Sequence, residues 1–237
     1  QAERNARQCG LFDMDGPAGT PAARYVEVPH WGERERLLNE KQALGFFLSG
    51  HPFSEYAPEI AAFVRRGLAQ LEPGREAVLM AGIVVGTRTQ MTRRGKMAVV
   101  TLDDASAQVE VSVFNELWDA ERAKLKEDEL LLVEGKVQHD DYTGGLRVTA
   151  DRLLTLAEAR GRFAKALVIS MNGGPDARKL QTLLAPYRNG PCPVRVAYRN
   201  GEAEAELSLP DSWRVRLDDA LLAGLREWLP AGVQVLY

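Results

Sequence analysis

Three of the four close aspartate pairs and the three histidines are the residues of this chain to weigh as a catalytic centre. Two-metal phosphoryl transfer needs carboxylates clustered on rigid elements a few ångströms apart. Asp13-Met14-Asp15 has a D-x-D spacing but lies in an irregular stretch, "DMDGPAGTPAARY", with no sustained period. Asp103-Asp104 and Asp140-Asp141 fall at expected strand ends, where aspartate serves local hydrogen bonding, and they read as solvated turn residues. His30, His51 and His139 are scattered, and His51, directly before Pro52, reads as shaping a helix end. The chain contains no P-loop, no G-x-S-x-G and no H-E-x-x-H. The sequence predicts no catalysis by this chain alone, no metal and no cofactor.

Two other groupings suit binding. "TQMTRRGKM" carries Arg93, Arg94 and Lys96, with Arg88 just upstream, and "HDDYTGGLR" offers His139 and Tyr142 as stacking surfaces with Arg147 beyond. "QCGLF", residues 8 to 12, sets Leu11 and Phe12 in a polar arm with no apolar neighbours to pack against.

The elements that position these residues follow from periodicity. Residues 1–30 read as a flexible arm, and residues 31–74 as a helical connector. Its first helix runs from Glu33 towards Phe47 or Leu48 and ends near Gly50, and a second spans Ser54 to Arg66. From Arg75 to Leu156 the apolar period becomes 2, in five runs: "AVLMAGIVVG", "KMAVVTL", "QVEVSVF", "ELLLVEGKV" and "LRVTADRLL". A helix, "NELWDAERAKL", lies between the third and fourth, with Asn115 as its cap. Five strands with a helix after the third outline an OB-fold barrel over residues 75–156, and Gly82 and Gly86 suit the bends that closure demands. Residues 157–237 read as a small α+β sandwich with both helices on one sheet face. In it, strands over Val194–Tyr198 and Ala203–Leu209 join through Asn200-Gly201, and a third carries Trp213, Val215 and Leu217. Asp218 caps the last helix. The fold class is therefore mixed β and α+β, a barrel followed by a sandwich.

OB barrels bind single strands across strands two and three, between the loops joining strands one to two and four to five. Arg88, Arg93, Arg94, Lys96, Phe114, His139, Tyr142 and Arg147 are therefore the candidate contacts to single-stranded DNA. Phe114 shares a strand face with Glu110 and Ser112, where it can stack a base or tuck beneath the helix it begins, and tucking is the simpler reading. Asp140 and Asp141 oppose phosphate binding at the second loop.

Composition bounds these expectations. A chain of 237 residues with 45% hydrophobic and 27% charged residues suits two globular domains and a tail. The net charge of -3 excludes a protein that coats nucleic acid through global charge, so binding must come from a local patch. Apolar runs such as Leu130 to Val133 fall far short of the roughly 20 residues of a membrane span, and no signal peptide opens the chain, so a cytoplasmic location is expected. Cys9 and Cys192 are too few for a disulfide framework or zinc site and read as free thiols. A chain beginning at Gln1 reads as cut from something longer.

The whole chain resembles the C-terminal region of the bacterial DNA polymerase III alpha subunit. The resemblance rests on "EKQALGFFLSGHPFSEY", "MAGIVVGTRTQMTRRGKMAVVTLDD", "VEVSVFNE" and "LLLVEGKVQHDDYTGGLRVTA". It implies that "QCGLF" is an internal motif of the form Q-x-x-L/M-F for the sliding clamp (the beta subunit), with Gln8, Leu11 and Phe12 as its anchors. Cys9 and Gly10 stand in place of commoner middle residues. It further implies that the barrel contacts single-stranded or primed template DNA. The domain from about Ala166 would dock the tau subunit of the clamp loader, and the catalytic palm would precede this region. A stand-alone OB-fold nucleic-acid binder and a pure protein-interaction scaffold are the alternatives, separable by salt-sensitive binding of single-stranded DNA.

Overall fold

The computed structural model describes residues 30–92, 95–140, 144–172, 176–200 and 203–237. The chain divides into two units, Gln1–Phe46 and Phe47–Tyr237.

In the first unit, α1 (Glu33–Leu44) begins with Glu33 and Glu35 in its first turn and carries an Arg36–Glu40 pair one turn apart at 3.9 Å. It ends earlier than the apolar spacing predicts, at Gly45 rather than Gly50. Gly45 takes a left-handed conformation (φ 85°), and its N–H bonds to the Lys41 carbonyl at 2.8 Å.

The second unit opens with a 3-10 turn, Pro52–Glu55, followed by α2 (Ala57–Ile60). The long helix expected from Ser54 to Arg66 is therefore only this short pair. His51 Nδ1 accepts the Phe53 N–H at 3.2 Å, as the reading of a helix-end residue anticipates.

The barrel comprises β1 (Val78–Thr92), β2 (Gly95–Asp103), β3 (Gln108–Phe114), β4 (Leu130–His139) and β5 (Leu146–Leu154), with α3 (Asn115–Glu121) after the third strand. The strand order β1-β2-β3-β5-β4 closes on itself, with β3 and β5 parallel and every other pair antiparallel. The register of β1 shifts between Val84 and Gly86, the bend anticipated there. Alternation sends Met80, Val84, Val100, Leu102, Val111, Val113, Leu131, Val133 and Val148 inward, and Leu117 and Trp118 of α3 pack against this core. Each fully buried side chain of this size contributes roughly 1.5–3 kcal/mol. Phe114, rather than Asn115, is the N-cap of α3.

Two barrel strands are covered on both faces, and this explains why their sequences run apolar without alternation. Ala81 of β1 and Leu132 of β4 turn outward into a second cluster with Ile60, Leu154, Leu156 and Ala159. The outer layer is α2 and α4 (Leu156–Phe163), the latter opened by a capping box between Thr155 and Glu158. β3 keeps the alternating pattern of a strand with one solvated face, whereas β2 buries Ala98, Val99 and Val100 in succession.

The C-terminal sheet has the order β10-β6-β8-β9, formed by β6 (Ala166–Asn172), β8 (Val194–Arg199), β9 (Glu204–Ser208) and β10 (Val233–Leu236). α5 (Ala177–Leu184) and α6 (Asp219–Trp228) share one core with it, including Leu180, Leu184, Leu221 and Leu225. The third strand expected at Trp213–Leu217 is absent. Trp213 ends a 3-10 turn, and Val215 instead bridges Arg188 and Cys192 at either end of β7 (Arg188–Cys192), a strand the sequence did not reveal. Asp218 is the N-cap of α6, but its carboxylate lies 2.9 Å from Arg216 Nε and makes no capping bond.

Candidate nucleic-acid interface

With β1 and β4 sheathed by the outer helices at their paired halves, the polar outer surface of the barrel is the one carried by β2, β3, β5 and the distal halves of β1 and β4. Strand register assembles it in rows. One row crosses all five strands: Arg88 pairs with Val99, Val99 with Ser112, Ser112 with Thr149, and Thr149 with Lys136. Cations stand at both ends of this row, and the side chains between them are neutral. The neighbouring row sets Gln90, Met97 and Phe114 side by side, and Gln138 lies opposite Arg147. Lys136 and Arg147 are exposed. The tight meeting of β4 and β5 that holds Lys136 in the row depends on Gly135, where a Cβ would come within 2.5 Å of the Thr149 carbonyl oxygen.

The residues anticipated from sequence fall differently within this frame. Arg88 lies on the face, but its Nη2 sits 2.7 Å from Glu110 Oε2, and both side chains are more than half exposed. Phe114 is half-buried on the outer face beside Met97, whereas Val111 and Val113 of the same strand are fully buried inside. Lys96 lies one residue out of step with Met97, and its Nζ sits 5.5 Å from the Trp118 ring centroid, towards α3 and away from Arg88. His139 Nδ1 lies 3.0 Å from the Gly145 carbonyl oxygen, closing the β4–β5 turn together with the Asp140 N–H bond to the same carbonyl. Arg93, Arg94, Tyr142, Gln8, Leu11 and Phe12 lie outside the described residues.

Lys136 was not anticipated, although "EGKVQH" carries the signal: Val137 points inward, so Lys136 and Gln138 point outward. The aspartates also differ from expectation. Asp104 is buried and accepts the N–H groups of Leu68, Ser106 and Ala107 and the Ser106 hydroxyl, at 2.6 to 3.1 Å. Burial pushes its carboxyl upward, but these hydrogen bonds outweigh it and hold the group below its ordinary value. It anchors the turn before β1 to the β2–β3 loop and is no solvated turn residue. Asp103 lies 3.2 Å from His51 and accepts from Gln108 and the Ala105 N–H. Among the described residues no group of three or more potential metal ligands occurs, and no helix is long and apolar enough to cross a membrane.

A closed five-stranded barrel with a helix after its third strand and a basic-ended polar face defines the OB class, and residues 78–156 match the model of the OB-fold nucleic acid binding domain. Residues 179–229 match the DNA polymerase III subunit alpha C-terminal domain. The chain is homologous to the C-terminal part of DNA polymerase III subunit alpha, a DNA replication protein. It is 39% identical to that of Neisseria meningitidis over 97% of this chain and 20% of the relative. For Pseudomonas aeruginosa the identity is 37%, over 95% of this chain and 20% of the relative. For Escherichia coli (strain K12) it is 35%, over 85% and 18%. The chain thus spans about one fifth of the length of the curated relatives it matches, which are DNA polymerases by name. Among solved structures, the second OB-fold domain of replication protein A from Methanococcus maripaludis aligns with 38% of this chain and 93% of its own, at 20% identity and a TM-score of 0.32.

Proposed function

We propose that this chain is the non-catalytic, organising end of a cytoplasmic replicative DNA polymerase, with the barrel face as its contact to single-stranded template. The row from Arg88 to Lys136 carries this reading. It sets a cation at each end of a neutral floor four strand spacings long, roughly 19 Å along the surface. A single strand laid across it meets cations for its phosphates and finds Phe114 and Met97 beside the path for its bases. Arg93 and Arg94, between β1 and β2 in the sequence, and Tyr142, between β4 and β5, extend the same contact.

The arm acts as a tether. Gln8, Leu11 and Phe12 match the clamp-binding form, in which the two apolar side chains enter a pocket and glutamine bonds at its rim. Residues 157–237 form the domain that docks the tau subunit of the clamp loader. Each contact is modest alone, and linkage of three contacts on one chain raises the effective concentration of each partner.

The experiment is a titration of the chain with a fluorescent single-stranded oligonucleotide and with duplex of the same sequence, at several salt concentrations. Binding that favours the single strand and weakens linearly in log salt supports the reading. No binding at low salt favours the protein-interaction scaffold and overturns it.

A further inference from the structure

The C-terminal sheet ends in an open strand beside an apolar groove. β9 is last in the sheet order, and all five of its residues are exposed. The groove has a volume of about 530 Å3 and is lined by Leu180 and Leu184 of α5, Val196 of β8, and Leu207, Leu209 and Trp213. Leu207 lies opposite Val196 on the groove side and is 57% exposed. On the other side of the sheet the charges run in stripes. Arg195 and Arg199 lie on β8, and Glu204 and Glu206 on β9, with Arg195 Nη1 3.3 Å from Glu206 Oε1 and Arg199 in register with Glu204. The next stripe, beyond β9, is therefore called for in basic residues. The edge itself, "EAELS", carries none of the lysines or prolines that commonly guard such strands.

We infer that the β9 edge takes an extended peptide of alternating apolar and basic residues as a fifth strand. Its apolar side chains enter the groove over Leu207, and its basic side chains meet Glu204 and Glu206. Backbone pairing supplies affinity in such strand addition, and alternate side chains supply selectivity. A second copy of this chain fits less well. Antiparallel pairing of β9 with itself about its centre sets Glu206 against Glu206, and a one-pair shift towards its start sets Glu204 against Glu206, both like-charge contacts, while the opposite shift sets Leu207 against Leu207 but leaves only Glu206 to Ser208 of the strand paired.

The test uses the whole chain and two blocked ten-residue peptides, one alternating valine with lysine and one alternating valine with glutamate. Calorimetry is expected to show saturable binding of the lysine peptide, at least tenfold tighter than the glutamate peptide. Amide exchange is expected to slow at residues 204–208. Leu207→Asp, and separately Glu204→Lys with Glu206→Lys, are expected to weaken binding at least tenfold; all three positions are exposed, and unchanged urea unfolding verifies the fold. Equal binding of both peptides, protection elsewhere in the chain, a helical bound peptide, or self-association through β9 without peptide would each overturn the inference.

Discussion

Arg160 and Glu59, 101 residues apart, form a two-pronged ion pair, with Arg160 Nε and Nη2 at 2.6 and 2.8 Å from the two carboxylate oxygens. Arg160 Nη1 lies 2.5 Å from Asp219 at the start of α6, and the Tyr237 hydroxyl donates to Glu59. One guanidinium, with its side chain 4% exposed, thus ties the helical segment before the barrel, α4 and the C-terminal domain. Burial alone would lower the pKa of Arg160, but Glu59 and Asp219 raise it above its ordinary value, so it stays charged. Removing it strands Glu59. Arg160→Met is expected to cost about 3 kcal/mol in urea unfolding, and the pair Arg160→Met with Glu59→Met to recover part of that loss.

The same pair makes stability depend on acid. Burial pushes Glu59 upward, and hydrogen bonds from Arg160 and Tyr237 more than offset this, leaving it below 4.5. A carboxyl lowered on folding contributes fully above its unfolded value and loses that contribution as pH falls through the folded one. The urea midpoint of the native chain is expected to drop more steeply below about pH 4.5 than that of Glu59→Gln, which starts lower. Parallel curves would contradict this.

Asp104→Ala removes the acceptor for three backbone N–H groups and the Ser106 hydroxyl. The expected loss is about 1–3 kcal/mol in urea unfolding, and Asp104→Asn is expected to fall between Ala and native because it retains one acceptor oxygen.

Glu110 holds Arg88 at the edge of the proposed binding face. Glu110→Gln frees Arg88 and removes a negative charge beside the neutral floor, so single-stranded oligonucleotide binding is expected to tighten two- to tenfold in anisotropy titrations. Stability is expected to change by less than about 1 kcal/mol, because the Arg88–Glu110 pair is exposed.

Leu11→Ala with Phe12→Ala is expected to abolish calorimetric binding of the chain to the sliding clamp while leaving oligonucleotide binding unchanged. Loss of both activities would contradict separate roles for arm and barrel.

The barrel was legible in the sequence because its signals are local: alternation in "QVEVSVF", a helix after the third strand, and glycines at the bends. The outer helical layer was less so, since "AVLMAGIVVG" and "ELLLV" reveal two buried faces without naming what covers the second. β7 was hidden because "RNGPC" has no alternation, and its Asn189 takes a left-handed conformation (φ 64°). Its partner is Val215, far along the chain. Trp213 and Val215 alternate like a strand but serve a turn and two isolated bridges. At the candidate site, charge identified Arg88 and Arg147, but register alone decides that Lys96 turns towards Trp118 and that Lys136 joins the row. Arg160 was silent in sequence because its two carboxylate partners, Glu59 and Asp219, come from segments far from it on either side.

The most direct measurement is the salt dependence of single-stranded oligonucleotide binding for the native chain beside Lys136→Ala with Arg147→Ala. If Lys136 of the five-strand row and Arg147 beside it both contact phosphates, the slope of log K against log salt becomes shallower by about 1.4 for the two lost contacts. Binding weakens at low salt, with unfolding unchanged. A native slope retained in the double variant would contradict the assignment of this face.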